Sequence, residues 1–358
     1  MAERLISADS HVNMDHARVK EHLAPAHHAA YDAAVDTFQQ QMLATMGAGR
    51  ANAESMKQNA HAAFSRPGYG DAVERLRDMD TDGVEAEVVY SEVSGFRYLY
   101  MLEDRDSALA ATQAFNDGMV DWATADPSRL IVSCQVPVHD VELAVGEVER
   151  VAAAGCKSLQ LPVFPAELGV PDYYDERYEP LFGLIQETGL PICCHIGLNT
   201  ALDDLARRDP TPQKGVMVPM TGLSTAEAFG MFILGGVFER FPDLKVVYVE
   251  PGLGWVAWYV EIVDDMVKRQ GYVFDRISEL PSAYFHRNVH LTFIEEHTAL
   301  DKLRYILGVE NLLWSTDYPH PVTSWPDSRD LIEKQFEGIP ADERTLMLSG
   351  NAARVWNL

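Results

Sequence analysis

Positive charge is what this chain has least of. Its 358 residues carry 29 Lys and Arg against 54 Asp and Glu, a formal net charge of -25. Such a surface repels polyanions, so nucleic acid and anionic membrane faces are excluded as partners and a small-molecule substrate is expected. Cysteine is scarce too. The four present, two of them adjacent at Cys193 and Cys194, make neither a CxxC pair nor a disulfide framework, and they are expected to stay reduced in a cytoplasmic protein. No apolar run approaches the roughly 20 residues needed to cross a bilayer, and the first dozen residues lack a basic stretch followed by an apolar one, so neither export nor anchoring is expected. The chain also lacks a GxSxG elbow, a Walker loop and a Gly-rich turn opening a helix after the first strand, which removes the parts that serine-hydrolase, NTPase and dinucleotide-dehydrogenase chemistry need. Gly252-Leu253-Gly254 has no third glycine and no downstream acid, and reads as a tight turn before a helix near Trp255.

What is present is enough apolar residue, 47%, to bury a large core. Short β-prone runs occur at residues 4–12, 86–92, 131–137, 157–163, 191–197, 245–250, 289–294 and 312–317. Helical patterns fill the intervals, among them SALAATQAFNDGMVDWATA, VELAVGEVERVAAA, YEPLFGLIQETG and TAEAFGMFILGGVFERF. Eight alternating strand and helix units predict a single α/β domain, a (β/α)8 TIM barrel over residues 1–358. Two stretches exceed a minimal barrel. Residues 13–75 are long, Ala-, Met- and His-rich, and read as a helical cap inserted after strand 1, with Met42, Met46, Met56 and Phe64 as candidate pocket residues. Residues 198–223 read as a loop shaping the pocket. The cap and the C-terminal helices would cover apolar surface in a homodimer.

In such a barrel the active site lies at the C-terminal ends of the strands. Asp9 and His11 end the first strand, His195 the fifth, Glu250 the sixth and Asp317 the eighth. Residues two apart on a strand share a face, so Asp9 and His11 enter the lumen together. Imidazoles and carboxylates of this kind suit a divalent ion with an open coordination position. Zinc is the default, manganese or iron the alternatives, with one ion or two. A strand-end carboxylate such as Glu250 could instead form an ion pair. His320 could touch substrate, act as an acid or orient Asp317; Tyr318 and Pro319 read as structural. Glu92, His286 and His290 read as structural rim residues, and Arg66, Arg97 and Lys214 as loop cations able to meet an anionic group.

Taken together, ADSHV, RLRDMDTDGVEAEVVY, CHIG, FERFPDLKVVYVEPGLGW and WSTDYPHP resemble the amidohydrolase-2 branch of the amidohydrolase superfamily, which includes aminocarboxymuconate-semialdehyde decarboxylase and related aromatic-acid decarboxylases. The resemblance implies a metal bound by Asp9, His11, His195 and Asp317. The chain departs from it twice. Asp9-x-His11 stands where those decarboxylases have HxH or ExH, and Glu250 stands where they carry a His. A carboxylate there would bridge a second ion or take a proton from bound water, and would repel a substrate carboxylate. The expected reaction is therefore hydrolysis of an ester, thioester, lactone or amide of a small organic acid derivative, with Glu250 or Asp317 as base and His320 assisting the leaving group. Non-oxidative decarboxylation of an aromatic or muconate-like acid is the alternative, and a catalytically silent ligand-binding barrel the reading from another class.

Overall fold

The computed structural model describes residues 3–46, 64–91, 96–197 and 199–358, the side chains of residues 42–46 and of Gln213 apart. Among the described residues the strands run parallel in chain order: β1 (Ile6–Val12), β2 (Ala86–Ser91), β3 (Leu130–Gln135), β4 (Ser158–Gln160), β5 (Ile192–His195), β6 (Val246–Val249), β7 (Val289–Phe293) and β8 (Leu312–Trp314). The residues after β8 close the ring. Asp317 donates its N–H to the Asp9 carbonyl at 3.1 Å, and His11 donates its N–H to the Tyr318 carbonyl at 2.6 Å. The result is the expected (β/α)8 barrel.

Helices α1 (His16–His22) and α2 (His28–Met46) follow β1, and α3 (Ala72–Asp82) leads into β2. The crossovers are α4 (Arg105–Ala123), α5 (Val141–Ala153) and α6 (Glu179–Thr188), then α7 (Thr200–Arg208), α8 (Val218–Ser224), α9 (Ala226–Leu234) and α10 (Val237–Arg240) between β5 and β6. After β6 come α11 (Gly254–Gln270) and α12 (Pro281–Asn288); α13 (Arg304–Leu307) precedes β8, and α14 (Ser328–Gln335), α15 (Ala341–Thr345) and α16 (Asn351–Trp356) end the chain. Short polar side chains start several of them: Asp71, Asp104, Asp140 and Asn199 each accept a backbone N–H at the N-terminus of α3, α4, α5 and α7.

Two departures from the sequence reading have local causes. Residues 198–223 are not simply loop, because the Asn199 cap and the buried face of Leu202 and Ala206 stabilise α7. The single helix expected over TAEAFGMFILGGVFERF breaks at Gly235-Gly236, where Gly236 takes φ 72°, a conformation glycine adopts without strain.

Ile6, Ala8, Val88, Tyr90, Cys193, Val247 and Leu313 fill the lumen, and Trp356 of α16 seals its N-terminal end by donating to Ser158 Oγ at 3.1 Å. At the opposite end α2 packs on residues 97–101, which follow β2, and on α7, which follows β5. Met56 lies outside the described residues, as do the side chains of Met42 and Met46. Helix α3 begins at Ala72, inside the segment read as cap.

Candidate active site

A β-bulge sets the first-strand pair. Pairing of β1 with β2 slips between Ser7 and Ser10, which face Glu87 and Val89, so β1 carries one extra residue there. Ile6 and Ala8 face the lumen below the slip; above it Asp9 and His11 do. Regular alternation would have turned either the apolar pair or the polar pair outward. Two more site residues are aimed by unusual backbone: Glu250 sits at φ 58° and Asp317 at φ 52°, left-handed conformations that tertiary structure must hold in place. Glu250 is held by its N–H donating to Thr292 Oγ1 at 2.9 Å.

These residues converge. His11 Nε2 lies 3.2 Å from His195 Nε2, 3.6 Å from Asp9 Oδ1 and 3.4 Å from Asp317 Oδ1. His195 Nε2 lies 3.6 Å from Asp9 Oδ1 and 3.7 Å from Glu250 Oε2, and His320 Nδ1 lies 2.8 Å from Asp317 Oδ1. Asp9, His11, His195 and Glu250 form one grouping able to hold a metal, and His11, Glu250, Asp317 and His320 a second that shares two members with it. The rings of His11 and His320 stack at 4.1 Å, and Phe64 meets His320 edge-on at 5.7 Å, so Phe64 stands at the mouth.

The hydrogen bonds fix what the imidazoles present. His11 Nδ1 faces the Ser91 carbonyl at 3.1 Å and His195 Nδ1 the Ile196 carbonyl at 3.2 Å. A carbonyl only accepts, so each Nδ1 carries the proton and each Nε2 turns a lone pair inward. Two lone pairs 3.2 Å apart beside three carboxylates repel unless a proton or cation lies among them. Neither carboxylate oxygen of Asp9 accepts a hydrogen bond, although both are buried, and an uncompensated buried carboxylate costs several kcal/mol. Ligands about 2.1 Å from one ion would be separated by about 3.0 to 3.4 Å, close to the spacings found. The donor set therefore fits a divalent cation.

Charge is distributed unevenly. Burial, then the neighbouring Asp317 and Asp9, pushes the Glu250 carboxyl well above the ordinary glutamate range. Burial would raise Asp317 as well, but His320 and His11 override it and hold Asp317 below the ordinary aspartate range. Beside His195 a small pocket is walled by Phe96, Val163, Phe164 and Leu168, with Arg97 and Glu167 at its polar side.

The other sequence candidates lie apart. His290 is buried on β7, where burial first and then Arg354 and Lys245 lower its pKa to about 3, and its Nδ1 has no partner. His286 is exposed on α12, Lys214 donates to the Asp209 carbonyl at 3.2 Å, and Glu92 falls outside the described residues. Arg66 stacks over Trp325 at 4.6 Å and Tyr318 at 5.6 Å. Gly252, at φ 72°, makes the expected tight turn, and Glu296 accepts the Leu253 N–H at 2.8 Å beside the start of α11. Sequence reasoning missed Ser91 and Thr292, which orient site residues through contacts of no recognisable spacing, and Arg75, whose segment was noted only for its likeness.

The amidohydrolase family model matches residues 14–358, and the chain belongs to that family. It is an enzyme fold of the TIM-barrel class. Among its relatives, gamma-resorcylate decarboxylase of Rhizobium sp. (strain MTP-10005) is 23% identical over 264 residues, covering 68% of this chain and 76% of that protein. Among solved structures, 5-carboxyvanillate decarboxylase LigW from Sphingomonas paucimobilis matches with a TM-score of 0.75 at 24% identity over 100% of both chains. A dihydroxybenzoic acid decarboxylase from Polaromonas sp. JS666, solved with manganese and the inhibitor 2-nitroresorcinol, matches with a TM-score of 0.74 at 19% identity over 100% of this chain and 98% of its own.

The expectation of a hydrolase is corrected by these likenesses, which are to decarboxylases. Its premise was an ionised Glu250 repelling a substrate carboxylate, whereas a carboxyl raised by burial and by two neighbouring acids can keep its proton. The preference for zinc likewise finds no specific support, since the metal named in the neighbour is manganese.

Proposed function

We propose that this enzyme is a metal-dependent, non-oxidative decarboxylase of an aromatic or muconate-like carboxylic acid. One observation carries the metal part: Asp9, His195 and Asp317 each place a buried donor atom 3.2 to 3.6 Å from the inward lone pair of His11 Nε2, and neither Asp9 oxygen has a hydrogen bond. The reaction class comes from the relatives named above. A cation held by these four residues, with Glu250 adjoining, would supply a Lewis-acidic anchor for substrate oxygens and offset the carboxylates. Manganese is the first metal to test, and zinc and iron remain chemically suited to the same ligands.

The chain's own groups supply the rest. Breaking the carbon–carboxylate bond releases CO₂ and leaves an electron pair on carbon, which must take up one proton. Asp317, 2.8 Å from His320 Nδ1, is placed to relay it: it takes the proton from His320 and passes it to the carbon, and His320 regains one from solvent. Glu250, whose carboxyl is pushed up by burial and then by Asp317 and Asp9, is placed to donate to a substrate carboxylate when it holds a proton. Phe96, Val163, Phe164 and Leu168 beside His195 offer substrate an apolar wall, and Arg97 suits a second acidic substituent.

The test is product analysis of manganese-loaded protein with 2,6-dihydroxybenzoate and 5-carboxyvanillate in D₂O. Stoichiometric CO₂ with deuterium at the vacated carbon is expected. A well-folded, metal-loaded preparation that releases no CO₂ and exchanges no deuterium across a panel of such acids would refute the reading.

A further inference from the structure

Arg75 is completely buried, which is rare for a guanidinium, and it lies on the outer side of the barrel wall, on α3. Its donors reach three places in the fold, the turn at Gly68, β2 and β1. Nε donates to the Gly68 carbonyl at 2.9 Å, and one terminal nitrogen donates to Glu87 Oε2 on β2 at 2.8 Å and to Ser10 Oγ on β1 at 3.3 Å. The other terminal nitrogen donates to the carbonyl of His11. The guanidinium also stacks over the ring of Tyr318, 4.2 Å from its centre. Tyr318 follows Asp317 directly, and its hydroxyl donates to Asp78 Oδ2 on α3 at 2.5 Å.

The two things Arg75 grips from behind are therefore the peptide of His11 and the residue next to Asp317. These are the strand ends that close the barrel, and each presents a site side chain to the lumen. Gly68 fits the same arrangement: a Cβ there would lie 2.6 Å from Asp78 Oδ2 and 2.8 Å from the Tyr318 hydroxyl, so only glycine allows this close approach. Glu87, buried beside Arg75, neutralises the charge, so the net effect of the group is geometric.

We propose that Arg75 is a positioning residue for the metal site: it fixes the spacing of His11 and Asp317 by holding both strand ends against α3, without touching substrate or metal. A planar fork with five donors can span these partners; a lysine ammonium keeps the charge and cannot. This inference rests on the reading that the cluster holds a divalent ion.

The experiment measures Mn²⁺ affinity by electron paramagnetic resonance of the free ion, on metal-stripped protein, for wild type, Arg75→Lys and Glu87→Gln. Arg304→Lys serves as a control, since Arg304 is a buried arginine on α13 paired with Glu343 and placed away from the cluster. Arg75→Lys is expected to weaken Mn²⁺ binding about 10- to 100-fold, the range found for groups that orient metal ligands from behind. Glu87→Gln, which loosens the anchor of the fork, should weaken it less, and Arg304→Lys should lower the melting temperature and leave affinity unchanged. At saturating Mn²⁺ the Arg75→Lys defect should fall on kcat more than on KM. Wild type that binds no Mn²⁺ overturns the metal-site reading itself. Wild type that binds while folded Arg75→Lys binds equally well overturns the role of Arg75. If Arg75→Lys does not fold, Glu87→Gln decides: unchanged affinity there overturns the proposal, and weakened affinity supports it.

Discussion

The imidazoles of His11 and His195 are aimed from their far sides, and Glu250 is held by its backbone. The Ser91 and Ile196 carbonyls take the Nδ1 protons of His11 and His195, and Thr292 takes the Glu250 N–H. Removing a ring should therefore remove a ligand without disturbing its neighbours. His11→Ala and His195→Ala are each expected to become sub-stoichiometric in manganese while retaining the native circular dichroism. Full metal content in both would dismiss these residues as ligands. Glu250→Gln keeps size and a hydrogen-bond donor and loses only the ability to ionise; it should keep its metal and most of its CO₂-forming turnover. A loss of about 10²-fold or more would mean that Glu250 itself exchanges a proton in the reaction.

The same substitution has a stability signature. A carboxyl whose folded pKa lies above its unfolded value holds its proton longer in the folded state, so its contribution is present at low pH. It is lost as pH rises from the ordinary glutamate value toward the raised one. Gln has no such dependence. In metal-free protein the melting temperature of Glu250→Gln should match or trail that of wild type near pH 4 and move ahead of it as pH rises. Parallel melting curves across that range would mean that Glu250 is not raised.

At the scale of elements, the segment after β1 is tied down by a short polar chain. His16 Nδ1 of α1 lies 2.8 Å from the Tyr31 hydroxyl of α2, and that hydroxyl donates to Tyr98 Oη at 3.1 Å, in the turn after β2. Both tyrosines are buried, and burial raises Tyr31 well above its ordinary range. Tyr31→Phe deletes both contacts and should destabilise the protein by about 1–3 kcal/mol, with chemical denaturation as the measure. If α2 contributes to the mouth, KM should rise as well; an unchanged KM with the full stability loss would confine its role to scaffolding. The elements themselves were legible because alternation of apolar runs with amphipathic helices is a local pattern. Their limits were less so. β4 stops at Gln160 and β8 at Trp314, short of the expected 163 and 317, because pairing with neighbouring strands ends a strand, and neighbours are not visible in one run of residues.

For the molecule as a whole, no helix among the described residues is long and apolar enough to cross a membrane. The homodimer expected from the sequence is open to sedimentation velocity at micromolar concentration, where a species of twice the 39.9 kDa chain mass is anticipated and a monomer would remove the expectation. Helix α11 leaves Trp258, Ile262 and Met266 exposed along one face, an apolar stripe of the kind that associates.

The sequence by itself determined the barrel and the identity of the residues at its mouth. Periodicity and strand-end position are properties of short segments, and a parallel eightfold arrangement gathers all strand ends at one face. Only the tertiary structure decided how those residues point. The bulge that turns Asp9 and His11 inward, the left-handed backbone at Asp317 and the Arg75 fork behind them arise where β1 meets β2 and the residues after β8, and the left-handed backbone at Glu250 arises where β6 meets β7. Tertiary structure also decided the upward shift of the Glu250 carboxyl, which follows first from burial and then from Asp317 and Asp9, residues far away in the chain. That is why the hydrolytic reading failed where the fold succeeded: the charge of a carboxyl is set by its surroundings in space, and a linear sequence does not display them.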